Sequence, residues 1–205
     1  MRSCGLVIMD AGPLIKLALA RELDLLLRFG VKVYIPDEIC FEAVEKRAWE
    51  RGEELAGDKI YLRDWINAAK SNGLVSVPDT LIGEIAKKKR ASGEYTPAKK
   101  NHRKNTGELA AHDFFNNRDE WGHPGEPAIL LIDDAPGIEK IRIENLDAYV
   151  LTTYAMLVAF QEAGIIASSQ GIWQKIADAL PSAAPLDVSE SLRGTSELKS
   201  KLRPG

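Results

Sequence analysis

The chain has 205 residues, of which 45% are hydrophobic and 28% are charged. This length suits one domain, or one domain with an insertion, and this composition excludes wholesale disorder. We find no apolar run of about 18 residues and no basic-then-apolar leader, so we expect neither a spanning helix nor a secretory signal. Cys4 and Cys40 lack metal-type spacing. We expect both to be reduced packing residues of a cytoplasmic protein.

The charge of the chain is unevenly distributed. The formal net charge is −3, but the stretch from Lys87 to Lys104 holds eight Lys and Arg residues and one acid, so it carries +7 and the remainder −10. Such a run is usually a solvated, mobile loop. The alternative is a surface that holds a nucleic-acid backbone, with binding that weakens as salt rises.

Apolar runs and amphipathic runs alternate along the chain. Apolar, β-branched runs predict strands at 6–9, 31–35, 74–77, 128–132 and 148–151. Amphipathic runs predict helices at 13–20, 21–29, 37–51, 60–69, 79–88, 106–115, 138–145, 153–163 and 168–180. Asp37 and Asp79 are plausible N-caps of two of these helices.

The alternation predicts an α/β protein with a three-layer α/β/α arrangement and a central, mostly parallel sheet. We expect residues 1–180 to form a single domain with a charged insertion around 46–105. Residues 181–205 hold few large apolar groups and are expected to form a loosely held tail.

Several acids are expected to meet at one edge of this sheet. Asp10, Asp133 and Asp134 follow apolar strands, and the carboxyl ends of parallel strands form the ligand crevice of open α/β sheets. Glu42 and Glu108, from predicted helices, could lean over the same edge. Two such charges about 4 Å apart repel by about 4 kcal/mol at an effective dielectric of about 20. A hard divalent cation would remove that repulsion, because Mg²⁺ and Mn²⁺ prefer carboxylate oxygens.

Each of these acids also has a structural explanation. Asp10 could be a helix cap, Glu42 a solvated residue on a helix face, and Glu108 a complement to a helix dipole. Asp133 and Asp134 could belong to a turn. Asp113 could take the place of Glu108. None of these acids indicates a metal site by itself. The prediction therefore depends on their order along the chain and on the sequence around each of them.

Five segments of the chain follow the order of a known set of motifs. They are Val-Ile-Met-Asp-Ala-Gly-Pro-Leu-Ile, Tyr-Ile-Pro-Asp-Glu-Ile-Cys-Phe-Glu, Thr-Gly-Glu-Leu-Ala-Ala, Ile-Leu-Leu-Ile-Asp-Asp, and Val-Leu-Thr-Thr-Tyr-Ala-Met-Leu with Glu-Ala-Gly-Ile-Ile. In this order they resemble a PIN domain, and most closely the VapC-like branch with a double aspartate. The resemblance covers about residues 5–166, with poor coverage between 46 and 105.

The resemblance implies a metal-dependent endoribonuclease that acts as the toxin of a type II toxin–antitoxin pair. It implies Mg²⁺ or Mn²⁺, an RNA substrate, a small antitoxin partner and a homodimer, and no membrane. The family acids match Asp10, Glu42, Glu108 and either Asp133 or Asp134, of which we expect all but Glu42 to hold the metal. Either Thr152 or Thr153 matches the family hydroxyl, and Lys99, Lys100, Arg103 and Lys104 could hold the RNA backbone.

One departure from the family pattern lies beside the first acid. Gly12 stands where relatives commonly carry Ser or Thr. The same glycine argues against a haloacid-dehalogenase-like phosphotransferase, which wants a second Asp at that position. The remaining alternatives are a PIN nuclease of RNA processing or DNA repair without an antitoxin, and a degenerate PIN fold that only binds protein or RNA.

Overall fold

The computed structural model describes residues 5–55, 57–96, 106–117, 128–144 and 148–191. Within these ranges one sheet runs in the order β3-β2-β1-β4-β5-β6. Its strands are β1 (Leu6–Ile8), β2 (Val33–Tyr34), β3 (Val75–Ser76), β4 (Ala128–Leu131), β5 (Ala148–Leu151) and β6 (Ser189–Ser191). The first five are mutually parallel, and β6 pairs antiparallel with β5. The predicted α/β class with a mostly parallel central sheet is confirmed.

Helices connect and cover the strands. They are α1 (Ala11–Ala20), α2 (Asp37–Val44), α3 (Lys46–Arg51), α4 (Asp58–Ser71), α5 (Leu81–Ala91), α6 (Thr106–Asn116), α7 (Ala135–Glu144), α8 (Thr153–Glu162) and α9 (Ser169–Ala179). A 3-10 helix, Leu23–Phe29, ends at Gly30, whose φ of 66° suits glycine. The helix predicted at 37–51 is divided at Glu45 into α2 and α3.

The strand order explains how the sheet acquires two covered faces. From β1 the chain moves outward through β2 to β3, then returns to β4 on the other side of β1. Because connections between parallel strands are right-handed, the helices of the two halves lie on opposite faces of the sheet. β1 and β4 are completely buried, which is why their sequences are continuous apolar runs without alternation. The three-layer arrangement therefore follows from topology.

Two of the predicted caps are corrected. The N-cap of α2 is Pro36, not Asp37, and the Asp37 carboxylate instead accepts hydrogen bonds from the Glu38 amide at 3.0 Å and from the Thr80 hydroxyl at 2.8 Å. The N-cap of α5 is Thr80, not Asp79, since the Thr80 hydroxyl accepts from the Gly83 amide at 2.9 Å. Both aspartates belong to ion pairs described below.

The chain after α9 runs back along the outer edge of β5. Thr152 caps α8, and its hydroxyl also donates to the Leu186 carbonyl, while its amide donates to the Val188 carbonyl at 3.0 Å. The Tyr149 and Ser189 hydroxyls are hydrogen-bonded beside β6. The sequence predicted no strand here, and residues 192–205 lie outside the described ranges. None of the described helices is both long and apolar enough to cross a membrane.

Candidate functional site

A row of polar residues crosses the carboxyl edge of the parallel sheet. The strand register aligns one row of paired residues, which are Ser76, Tyr34, Val7, Leu130 and Val150. Three positions further along each strand, the chain carries in the same spatial order Asp79, Asp37, Asp10, Asp133 and Thr153. The strand order reverses between β1 and β4, so Asp10 and Asp133 flank the switch point where open α/β sheets bind ligands.

Asp10 is the member of this row whose charge is least compensated. No described lysine or arginine forms an ion pair with it, and its side chain makes no capping hydrogen bond to α1. Burial raises the pKa of Asp10 above its usual value of 3.8, and the charges of Asp133 and Asp134 raise it further. The backbone amides of Gly12 and Ala11 oppose this shift without reaching capping geometry. Asp10 is therefore a partly desolvated carboxylate held beside two other acids.

Asp133 is held by donors from two helices. Its Oδ1 accepts from the Thr153 amide at 2.7 Å, and its Oδ2 accepts from the Thr153 hydroxyl at 2.6 Å. The ammonium group of Lys16 lies 2.9 Å from the same Oδ2. The alternatives at the hydroxyl position are thereby separated: Thr153 contacts an acid of the site, whereas Thr152 contacts the C-terminal segment.

Asp134 points differently from its neighbour. Its Oδ2 accepts from the Gly137 amide at 2.7 Å, so it stabilises the first turn of α7. The residue is exposed, and it still acts electrostatically on Asp10. Asp133 and Asp134 therefore differ in role: the first is fixed by three donors, and the second is an exposed cap beside Asp10.

Glu42 and Glu108 lie on the packed helices α2 and α6. A Cβ added to Gly107 would lie 2.5 Å from Glu42 Oε2, so the Glu42 carboxylate rests on the backbone at the start of α6. Glu108 is the next residue. Glu42 pairs with Lys46 at 2.9 Å, and Glu108 pairs with Lys140 at 3.1 Å. The glycine of the Thr-Gly-Glu segment thus leaves room for the Glu42 carboxylate.

The five predicted acids form two groups in this structure. Asp10, Asp133 and Asp134 form one group, and Glu42 with Glu108 forms the other. Within the described ranges, no three His, Cys, Asp or Glu side chains lie close enough together to hold a metal ion as they stand. Three of the five acids instead carry a lysine partner. Asp113 belongs to neither group, because it accepts from the Leu81 amide at the start of α5.

The chemistry of the first group suits a hard cation. Its donors are carboxylate oxygens, and their mutual repulsion is what an oxygen-preferring cation relieves. Gly12 packs directly against this group, since a Cβ there would lie 2.6 Å from Asp10 Oδ2 and 3.4 Å from the Cβ of Asp133. The lack of a side chain at Gly12 therefore allows a close approach of α1 to the two carboxylates.

Sequence reasoning missed Lys16. The residue lies one turn after Gly12 on α1, and its ammonium group lies 5.4 Å from the ring centroid of Trp173 as well as beside Asp133. The available signal was helical spacing, because residues four apart on a helix share a face. On this basis Lys16 could have been placed on the same face of α1 as Gly12.

The described part of the basic stretch is engaged by acids. Arg90 donates to both carboxylate oxygens of Glu38, at 2.8 and 2.5 Å, and its guanidinium lies 3.9 Å from the ring centroid of Phe41. Lys87 pairs with Asp37 at 3.0 Å and with Asp79 at 2.6 Å. These two cations connect α5 to the start of α2 and to the segment that follows β3, so they do not form a free phosphate-binding surface. Lys99, Lys100, Arg103 and Lys104 lie outside the described residues.

Cys40 lies beside these ion pairs, in a cleft between α2 and α5. Burial raises the pKa of its thiol to about 11, with the charge of Glu45 adding to the effect. At neutral pH the side chain is a thiol rather than a thiolate, and the thiolate is the nucleophilic form. Covalent chemistry at Cys40 is therefore not favoured.

Comparison with family models, with curated proteins and with solved structures finds no significant match for this chain.

Proposed function

We propose that this chain is a metal-dependent endoribonuclease of the PIN-domain type, cleaving RNA phosphodiester bonds with Mg²⁺ or Mn²⁺. The observation that carries the proposal is the group of Asp10, Asp133 and Asp134 at the switch point between β1 and β4. The sheet holds three mutually repelling carboxylates at that point, and a divalent cation is the simplest partner that compensates them.

The side chains of this group take different parts in the proposed site. Asp10 and Asp134 would hold the ion, since each has a carboxylate oxygen free of any described ion pair. Thr153 fixes the orientation of Asp133, as outer-shell donors do for metal-binding carboxylates. When bound, the ion would activate a water for in-line attack and neutralise charge on the attacking and leaving oxygens.

Glu42 and Glu108 would act from the α2 and α6 side. Their lysine partners keep side-chain exposures of 34% and 40%, so these ion pairs face solvent and can open at small energetic cost. A carboxylate released from Lys46 or Lys140 could then orient the substrate or a water. This requires movement of side chains only, because α2 and α6 are already packed together.

The biological setting follows from the resemblance to the VapC-like branch. In that setting a small antitoxin would cover a groove framed by residues 11–28 and 37–51, and the chain would form a homodimer. The reaction would take place in the cytoplasm, where the free thiol of Cys40 stays reduced. Lys99, Lys100, Arg103 and Lys104 would supply the cationic surface for RNA. If so, neutralising these four should flatten the salt dependence of RNA binding, and an unchanged slope would exclude that role.

A second function is favoured by one specific observation. Asp133, Glu42 and Glu108 each have a lysine within 3.1 Å, which is the arrangement expected if the fold binds RNA or protein without cutting. The alternative is a degenerate PIN fold in which lysines have replaced the ion. A PIN nuclease without an antitoxin shares the proposed chemistry and differs only in partner.

Cleavage of purified RNA tests the proposal against this alternative. Wild type is expected to cut in Mn²⁺ or Mg²⁺ and to stop in EDTA. Asp10→Asn should lose about 10–100-fold in rate because it removes a proposed ligand of the ion, and Glu108→Gln should lose a similar factor because it removes a carboxylate proposed to orient substrate or water. Asp64→Asn, on the exposed face of α4, is the matched control and should cut like wild type. Equal rates for all four proteins would show that the site is wrongly assigned.

A further inference from the structure

We infer that the outer face of α5 and α6 is the surface through which two copies of this chain associate, with their α5 helices antiparallel. Three of the five large apolar side chains that stay exposed among the described residues lie on these two helices: Leu81 at 64%, Ile85 at 41% and Leu109 at 45% exposure. The inference rests on the proposed function only for the homodimer. It deepens that proposal by naming the interface, and it does not require nuclease activity.

The two helices form an antiparallel pair. They pack together, and the Leu81 amide donates to Asp113 Oδ2 at 2.9 Å, so the start of α5 lies beside the last turn of α6. The opposite ends both contact α2, since the Arg90 guanidinium lies on the Phe41 ring and Gly107 lies against Glu42.

The exposed apolar side chains of this pair belong to one patch. Ile85 follows Leu81 by one helical turn, and Leu109 precedes Asp113 by one turn. Because the helices are antiparallel and Leu81 contacts Asp113, Ile85 and Leu109 lie at the same level of the pair. Single exposed apolar residues are ordinary, whereas a group of them at the surface is typical of an interaction site.

α5 has an inner face and an outer face. The inner face packs on α2, where Gly83 lies against the Asp37 carboxylate and Arg90 pairs with Glu38. The outer face lies on the opposite side of the helix and consists of Leu81, Glu84, Ile85 and Lys88. All four of these side chains are exposed, so none of the described elements covers the outer face.

The outer face carries one acid and one available base. Glu84 and Lys88 are 4.0 Å apart, and their side chains are 57% and 81% exposed. The other cations of α5 each have a closer acid, at 2.6 Å for Lys87, 3.0 Å for Lys89 and 2.5 Å for Arg90. Lys88 is therefore the cation of α5 that is most available to a second molecule.

A two-fold arrangement satisfies the apolar side chains and these charges together. When two α5 helices pack antiparallel around Ile85, Lys88 of each copy lies over the turn that carries Leu81 and Glu84 of the other copy. Each surface then meets an identical surface, as in an isologous dimer with an apolar centre and a polar rim. A parallel pair would bring the two basic ends of α5 together, which like-charge repulsion disfavours. The charge pattern therefore favours a second copy of this chain as the occupant.

Sedimentation equilibrium of the full chain over a concentration series, without RNA or metal, tests the apolar part of the interface. The variants are Leu81→Ser and Ile85→Ser, and the control is Ile60→Ser, because Ile60 is an apolar residue of α4 with 37% exposure. We expect wild type and Ile60→Ser to dimerise alike. Each α5 variant should raise the dimer dissociation constant by at least about tenfold, because a two-fold interface loses the side chain from both copies. Circular dichroism verifies that each variant is folded.

Charge reversal tests the antiparallel orientation. Glu84→Lys alone and Lys88→Glu alone should each weaken association by at least about threefold, since like charges replace opposite ones across the axis. An equimolar mixture of these two variants should recover the wild-type dissociation constant as heterodimers, because each lysine then faces a glutamate. Loss of fold in one variant could not produce this recovery. Asp64→Lys and Arg63→Glu make the same charge changes in an exposed pair of α4 and should dimerise like wild type.

The outcomes separate this inference from the proposed nuclease. A wild type that stays monomeric at every concentration overturns both the inference and the homodimer, and leaves RNA cleavage to be judged by its own assay. A dimer that Leu81→Ser and Ile85→Ser do not weaken uses another surface, which overturns the inference alone. Equal weakening by Ile60→Ser has the same consequence. A mixture of the two charge variants that associates no better than either variant alone contradicts the antiparallel arrangement.

Discussion

Thr153 binds the carboxylate of Asp133 twice, through its amide at 2.7 Å and through its hydroxyl at 2.6 Å. Thr153 is the first residue of α8, so the carboxylate of one strand end occupies the positive end of the helix that follows the next strand. This contact links β4 to β5 at the carboxyl edge and fixes the direction in which Asp133 points. The adjacent threonine, Thr152, faces the C-terminal segment and offers a matched comparison.

Thr153→Val should weaken Mn²⁺ binding by about 10-fold, because an outer-shell donor to the site is lost. The variant keeps the side-chain shape, and a lost hydrogen bond to a charged group should reduce the free energy of unfolding by about 1.5–3 kcal/mol. Thr152→Val removes a helix cap instead, at about 0.5–2 kcal/mol, and should leave Mn²⁺ binding unchanged. Equal loss of binding in both variants would mean that the effect is one of stability. Calorimetry and urea unfolding measure the two quantities.

Gly12→Ala should abolish or strongly reduce cation binding while the fold is retained. The added Cβ would lie 2.6 Å from Asp10 Oδ2, so the carboxylate must leave its present position. Gly171→Ala is the control, since the nearest atom to a Cβ there is Ser168 Oγ at 3.3 Å, away from the acids. Replacing a glycine by alanine where the backbone conformation suits alanine generally raises the free energy of unfolding by about 0.4–1 kcal/mol. Unchanged Mn²⁺ affinity in Gly12→Ala would show that the position of the Asp10 carboxylate does not matter for cation binding.

Asp10→Asn should stabilise the cation-free protein at pH 7. The pKa of Asp10 is raised above 3.8 by burial and then by Asp133 and Asp134, so the folded state holds the proton more tightly than the unfolded state does. The resulting stabilisation is fully present below pH 3.8 and is lost as pH rises through the higher folded pKa. At pH 7 the ionised carboxylate costs stability that asparagine does not, by about 0.5–2 kcal/mol.

Urea unfolding in EDTA measures this difference at pH 7 and at lower pH. The advantage of Asp10→Asn should shrink as pH falls toward 3.8. The exposed Asp64→Asn serves as the control and should show no such pH dependence. A variant less stable than wild type at pH 7 would show that the ionised carboxylate of Asp10 is stabilised by its surroundings.

Arg90→Met should destabilise the fold by about 3–5 kcal/mol, because it leaves Glu38 buried without its partner. The Glu38 side chain is 1% exposed and that of Arg90 is 13% exposed. Lys88→Met is the control from the same helix, since Lys88 is 81% exposed and should contribute less than about 0.5 kcal/mol. Adding Glu38→Gln to Arg90→Met should recover part of the loss. Equal unfolding free energies for the Arg90 and Lys88 variants would show that the pair of Arg90 with Glu38 does not hold α5 against α2.

The central strands were predictable because they are apolar on both faces. β1, β4 and β5 lie within the predicted ranges 6–9, 128–132 and 148–151, since a strand buried between two helical layers has no polar alternation. β6 was not predicted. Its sequence, Ser-Glu-Ser, has no strand propensity, and the strand exists because β5 offers it an unpaired edge.

The site was predictable to the extent that it follows from the sheet. Parallel strands align their ends, so the neighbouring positions of Asp10 and Asp133 could be expected from two apolar runs. The lysine partners could not be predicted, because pairs such as Arg90 with Glu38, 52 residues apart, depend on which helices pack together. The fixed ammonium of Lys16 likewise depends on α9, which brings Trp173 to α1.

The product ends of RNA cleavage test the central claim most directly. Purified chain is incubated with an internally labelled RNA in Mn²⁺, and the new ends are identified, with Asp10→Asn as the parallel control. Attack by an activated water predicts 5′-phosphate ends that form in Mn²⁺, are absent in EDTA and are absent with Asp10→Asn. Cleavage that persists in EDTA, cleavage that leaves 2′,3′-cyclic phosphates, or no cleavage of any RNA at all would contradict the account.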